Sequence, residues 1–195
     1  MDLVLASGNA GKLSELRELL GDTGRFRLVP QSDLGVADVE ETGLTFIENA
    51  LLKARHAARA TGLPALGDDS GLCVDALGGA PGLYSARYAG AHGDADRNID
   101  KLLRALDGVP DHARSARFVC VLALLRSADD PSPIVVEGRW EGRILPARRG
   151  ARGFGYDPVF LDPAHGRSAA ELDPSIKNAI SHRGRALAAL KQQLA

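Results

Sequence analysis

Ser7-Gly8-Asn9-Ala10-Gly11-Lys12 is a glycine-containing stretch followed by an apolar-periodic segment. A loop feeding a helix N-terminus offers backbone N–H groups and the positive end of the dipole, which suits a phosphate. Lys12 adds a point charge. The stretch is not a Walker A loop, which needs Gly where Ala6 stands and Ser or Thr where Leu13 stands, and it is not GxGxxG. A tight turn with a surface lysine is the competing reading.

Glu41 and Asp69 are the candidate metal acids. Magnesium takes hard oxygen ligands, usually one or two carboxylates completed by waters and phosphate oxygens. Asp68-Asp69-Ser70-Gly71 ends an apolar strand, where α/β proteins often place their sites. Successive strand residues face opposite ways, so Asp68 and Asp69 are expected to serve different purposes. Solvated or loop-capping carboxylates are the alternative.

Gly153-Phe154-Gly155-Tyr156-Asp157-Pro158 can present an aromatic face for a nucleobase to stack on, or form a turn with a core-facing ring. Lys177 and Ser181-His182-Arg183-Gly184 fall in the last helical segment. Arg183, one turn from Ile180 on an apolar face, needs a partner, either a buried acid or a ligand oxygen. A structural His-Arg pair is the competing reading. Taken together, a phosphate loop, metal acids, an aromatic shelf and an edge-reading cation describe one nucleotide ligand.

The elements that must position these residues read as follows. Asp2 to Ala6 is a buried strand. Lys12 to Leu20 is a helix stopped by Gly21. Phe26 to Val29 is a strand, and residues 32–44 form an acidic loop with Asp38, Glu40 and Glu41. Thr45 and Glu48 form a capping box for a helix that runs to about Ala60. Pro64 to Asp69 and Gly71 to Leu77 read as two strands around the Asp-Asp-Ser-Gly break. Asp94 to Leu106 is a helix. Ser115 to Arg126 and Pro133 to Ile144 suggest an antiparallel pair. Arg148 to Asp157 is a loop, and one helix spans Ser175 to Leu194, with Ile176, Ile180, Leu187, Leu190 and Leu194 on one face. The pattern predicts one α/β domain, residues 1–195: an elongated mixed β-sheet flanked by helices, in two lobes with a central cleft.

Composition narrows the partners. The 195 residues carry a net charge of -1, which gives no global basic field for a nucleic acid polymer. Cys73 and Cys120 lie in apolar runs without metal-ligand spacing. The N-terminus lacks a basic n-region and no apolar run reaches membrane-spanning length, so a cytoplasmic protein is expected.

The motifs above, with Glu41-Thr42-Gly43-Leu44-Thr45-Phe46-Ile47-Glu48-Asn49-Ala50, Leu77-Gly78-Gly79-Ala80-Pro81-Gly82 and Ser85-Ala86-Arg87-Tyr88, make a specific set. In order, and across nearly the whole chain, it resembles the inosine triphosphate pyrophosphatase family of non-standard purine nucleotide pyrophosphatases. The resemblance implies hydrolysis of ITP, dITP and XTP to the monophosphate and pyrophosphate, with Mg2+, by a homodimer. It implies that Ser7 to Lys12 and Lys53 hold the triphosphate and that Asp69 is general base and metal ligand beside Glu41. Ser70 would contact substrate. Phe154, Gly155, Tyr156 and Asp157 would wall the base, which Lys177, His182 and Arg183 would approach. An arginine can only donate, so Arg183 would favour a C6 oxygen over the amino group of adenine. A pyrimidine-directed or Maf-like pyrophosphatase and a non-catalytic nucleotide sensor are the rival readings.

Overall fold

The structure is a computed structural model that describes residues 2–20, 26–90 and 94–194; the expected helix stop at Gly21 lies outside them. Seven strands form one mixed sheet in the order β2-β1-β3-β4-β5-β6-β7. Strand β1 (Asp2–Ala6) runs parallel to both β2 (Arg27–Pro30) and β3 (Ala65–Val74). Strands β4 (Ser115–Leu125) and β5 (Ile134–Ile144) are sheet neighbours, as their apolar patterns predict, and β5, β6 (Phe160–Asp162) and β7 (Arg167–Ser168) pair antiparallel. The helices are α1 (Ala10–Leu20), α2 (Phe46–Thr61), α3 (Ala95–Ala105), α4 (Pro174–Ile180) and α5 (His182–Leu194).

The chain divides into two compact units. The first comprises Met1–Asp69, Cys120–Gly138 and His182–Ala195, and the second Ser70–Val119 and Arg139–Ser181. In the first unit, Leu3, Leu5, Leu16, Leu66, Leu122, Leu187 and Leu190 make one buried cluster. A second cluster in the same unit joins Val4 and Ala6 to Ala57, Ala58 and Ala65. Helix α2 buries a run of alanines, Ala50, Ala54, Ala57 and Ala58, which lets it approach the sheet closely. Gly67 marks the closest point, since a Cβ there would meet the Ala50 carbonyl oxygen at 2.1 Å. The second unit has its own core around Phe118, Trp140 and Phe160, with ring centroids 4.6 Å apart for Phe118–Phe160 and 4.9 Å for Trp140–Phe160. Trp140 donates its indole N–H to Asp162 at 2.8 Å, so the buried polar edge of the ring is satisfied.

Two sequence expectations need correction. Asp68-Asp69-Ser70-Gly71 does not interrupt the third strand; β3 runs unbroken through it. The last helix is not one helix. Ser181 is extended (φ -65, ψ 160) and donates its N–H to the Lys177 carbonyl at 2.8 Å, ending α4 before α5 begins. Ile176 and Ile180 pack on the core of the second unit, whereas Leu187 and Leu190 belong to the core of the first. A period of 3.6 counted across a one-residue break therefore joined two faces that serve different cores.

Candidate active site

Asn9 shapes the first loop. Its side-chain oxygen accepts the Lys12 N–H at 3.0 Å and its carbonyl accepts the Leu13 N–H at 3.0 Å, so Asn9 caps α1. The Asn9 N–H in turn donates to Ser7 Oγ at 3.3 Å. This fixes the first turn of α1 and delivers Lys12 to the edge of β3. Lys12 Nζ stands 2.7 Å from Asp68 Oδ1, with the Asp68 side chain fully buried.

Asp68 holds a second cation as well. Arg183, 1% exposed on α5, donates from Nε to Asp68 Oδ2 at 3.0 Å and from Nη1 to Glu15 Oε2. Burial works against the charge on Asp68, but the guanidinium and the lysine ammonium outweigh it and hold the carboxyl well below the usual range. The Cys120 thiol donates to the same Oδ2 at 3.4 Å, and burial together with the Asp68 charge pushes its pKa well up. Two cations and two carboxylates thus form a buried, charge-balanced group, whose members would be costly to leave unpaired.

Asp69 belongs to a separate group, as strand alternation requires. Lys53 on α2, brought close by the alanine face, donates to Asp69 Oδ1 at 2.8 Å and to Glu41 Oε1 at 2.9 Å. Burial raises the Asp69 pKa, and the neighbouring Glu41 charge adds to this, with Lys53 and Lys12 offsetting only part. Burial pulls Lys53 down, but Asp69 and Glu41 outweigh it and keep the ammonium charged. Asp69 Oδ2 is buried and finds no hydrogen-bond partner among the described residues.

In the second unit, Gly153 (φ +77) turns the chain where a Cβ would fall 2.0 Å from Asp157 Oδ2. Asp157 is buried, and Oδ2 accepts the Phe154 N–H at 3.0 Å and the Lys177 ammonium at 2.7 Å. The two bonds leave the Phe154 ring at the surface, 38% exposed, with Lys177 Nζ 5.2 Å from its centroid. Tyr156 points the other way. It is 4% exposed and its hydroxyl donates to the Ser85 carbonyl at 2.9 Å.

The Ham1 family model matches residues 3–193. The chain belongs to the Ham1 family. It is 63% identical to the dITP/XTP pyrophosphatase of Xanthomonas campestris pv. campestris (strain 8004) over 98% of this chain and 96% of the relative. It is 58% identical to the dITP/XTP pyrophosphatase of Thioalkalivibrio sulfidiphilus over 100% of this chain and 98% of the relative. A HAM1 protein from Coxiella burnetii has a solved structure that superposes with a TM-score of 0.92 at 54% identity, covering 100% of this chain and 98% of that one.

The expected site residues of this Ham1 family chain fall into three local groups. Lys12, which the loop of residues 7–9 leads into, and Arg183 meet at Asp68; Lys53, Glu41 and Asp69 meet each other; and Phe154, Asp157 and Lys177 meet in the second unit. Lys177 and Arg183, six residues apart, do not share a group. Of the two partners left open for Arg183, a buried acid is present: the guanidinium forms ion pairs with Asp68 and Glu15. Tyr156, expected along the base wall, is buried and donates its hydroxyl to the Ser85 carbonyl. His182 is buried at the start of α5, and Ser70 follows Asp69 on β3. Glu15 was missed. Its signal is its place one turn after Lys12 on α1, where an acid and a base share a helix face.

The donor set suits a hard ion that shares its coordination with substrate. Among the described residues, no group of three or more His, Cys, Asp or Glu forms a protein cage for a metal. Two carboxylates, one with a buried oxygen awaiting a partner, are what magnesium takes when phosphates and waters supply the rest. No helix among the described residues is long and apolar enough to cross a membrane.

Proposed function

We propose that this protein hydrolyses non-standard purine nucleoside triphosphates (ITP, dITP, XTP) to the nucleoside monophosphate and pyrophosphate; the relatives named above are dITP/XTP pyrophosphatases. The observation that carries the reading is Asp69: buried on β3, fixed through one oxygen by Lys53 beside Glu41, with its other oxygen uncommitted.

Glu41 and Asp69 would hold a magnesium ion. Such an ion supplies Lewis acidity that neutralises charge developing on the phosphates. Asp69 orients the attacking water and would take its proton through the uncommitted Oδ2. Lys12 and the Ala10 and Gly11 amides of the capped α1 N-terminus bind the phosphates, which places preorganised donors where negative charge builds up.

The base meets Phe154 and Lys177. Phe154 offers an exposed ring face for stacking. Lys177 only donates, so it pairs with the C6 oxygen of hypoxanthine or xanthine and not with the amino group of adenine. Lys177 keeps its bond to Asp157 with either base, and the amino group of adenine forgoes only the additional bond that a C6 oxygen would accept, a difference of about 1–3 kcal/mol.

The direct experiment is pyrophosphate release from ITP, XTP, dITP, GTP, ATP and CTP, each with magnesium and with EDTA. We expect magnesium-dependent release from ITP and XTP, on the order of 100-fold faster than from ATP. Equal rates across the panel would discard the base-side assignments, and release that survives EDTA would discard the metal.

A further inference from the structure

The ammonium of Lys53 stands where a divalent ion would need to be. It is within 2.9 Å of Glu41 Oε1 and 2.8 Å of Asp69 Oδ1, the two carboxylates assigned to the metal. All three side chains are largely buried, at 12%, 25% and 6% exposure for Lys53, Glu41 and Asp69. One ammonium between two carboxylates leaves a single net negative charge. Adding a divalent ion with the lysine still in place would leave a net positive charge in a desolvated site. Exchanging the lysine for the ion leaves none. Coulomb repulsion between an ammonium and a divalent ion on the same oxygens favours the exchange.

The loop around Glu41 explains why an occupant is useful. Residues 36–43 form neither helix nor strand. The loop is tied by Gln31 to Asp38 at 2.5 Å, by His56 to the Ala37 carbonyl at 3.0 Å and by Asn49 to the Gly43 N–H at 2.8 Å. Lys53 ties Glu41 itself, and two carboxylates brought together without a cation would repel each other.

We propose that Lys53 is the resting occupant of the Glu41–Asp69 site, holding the two carboxylates together and yielding them to the metal, after which its ammonium serves the incoming phosphate. The inference rests on the metal assignment made above.

The test is calorimetric titration of Mg2+ into nucleotide-free wild-type, Lys53→Met and Asp69→Asn proteins, with Lys53→Gln as a second variant should the methionine form fail to fold. Removing the competing cation should tighten Mg2+ binding by at least about tenfold, and the gain should vanish in Lys53→Met/Asp69→Asn. In the wild type, the 15N-lysine ammonium signal of Lys53, assigned by its absence from the variants, should lose its ion-paired protection as Mg2+ saturates. Binding that Asp69→Asn removes, with an unperturbed Lys53 signal, would overturn the exchange and leave the metal assignment standing. Binding indifferent to Asp69→Asn would overturn both.

Discussion

The two units carry contrasting side-chain groups. The first gathers Lys12, Arg183, Glu15 and Asp68 in one buried group and Lys53, Glu41 and Asp69 in another. The second holds the exposed Phe154 ring beside the buried Lys177–Asp157 pair. The contrast teaches a division of labour. On the function proposed above, charge that must be stabilised during reaction would be met by fixed charge on β3, α1 and α2. On the same proposal, the base would be read by the Phe154 ring on a turn and by Lys177 on α4. The first task tolerates little displacement, and its groups apart from Glu41 sit on strand and helix; in the second the ring is carried by a turn whose path Gly153 sets, with Lys177 on α4.

The sharpest way to break that contrast is Asp69→Asn. Loss of the water-orienting carboxylate should lower kcat by about 10^2- to 10^4-fold for every nucleotide, with the melting temperature nearly unchanged. Turnover near the wild-type level would remove chemistry from the first unit. Asp68→Asn probes the other group there. It keeps the shape but leaves Arg183 and Lys12 short of a buried counter-charge, so urea unfolding should register a loss of about 3–5 kcal/mol. A change under 1 kcal/mol would mean that the pairs contribute little. Phe154→Ala should act more gently and selectively, costing about 1–3 kcal/mol of ITP binding through lost stacking. KM should rise with kcat little altered. An equal fall in kcat for all nucleotides would erase the distinction between the units.

How far the sequence foretold this varies by element. The strands β1, β4 and β5 and the helix α2 were legible because continuous apolar runs and the Thr45 cap are local signals. The opposite roles of Asp68 and Asp69 followed from strand alternation alone. The break at Ser181 was invisible, since one extended residue leaves the hydrophobic period intact on either side. Arg183 shows the limit most clearly. Its need for a partner was readable, but the partners are Asp68, 115 positions away, and Glu15, 168 positions away. Pairings at that separation are set by the packing of α5 against α1 and β3, and no periodicity records them. Tyr156 differs from Phe154 for the same reason, because the carbonyl that claims its hydroxyl lies 71 residues earlier.

The place of Trp140 has a spectroscopic corollary. It is the chain's one tryptophan, and all three tyrosines, Tyr84, Tyr88 and Tyr156, fall in the second unit with it. Intrinsic emission and near-ultraviolet dichroism from these chromophores therefore report on that unit, and the first unit holds neither tryptophan nor tyrosine. Coincident melting by Trp140 fluorescence and by far-ultraviolet dichroism would mark the two units as one cooperative body. Separated curves would reveal a partly unfolded state in which the light still comes from an intact core.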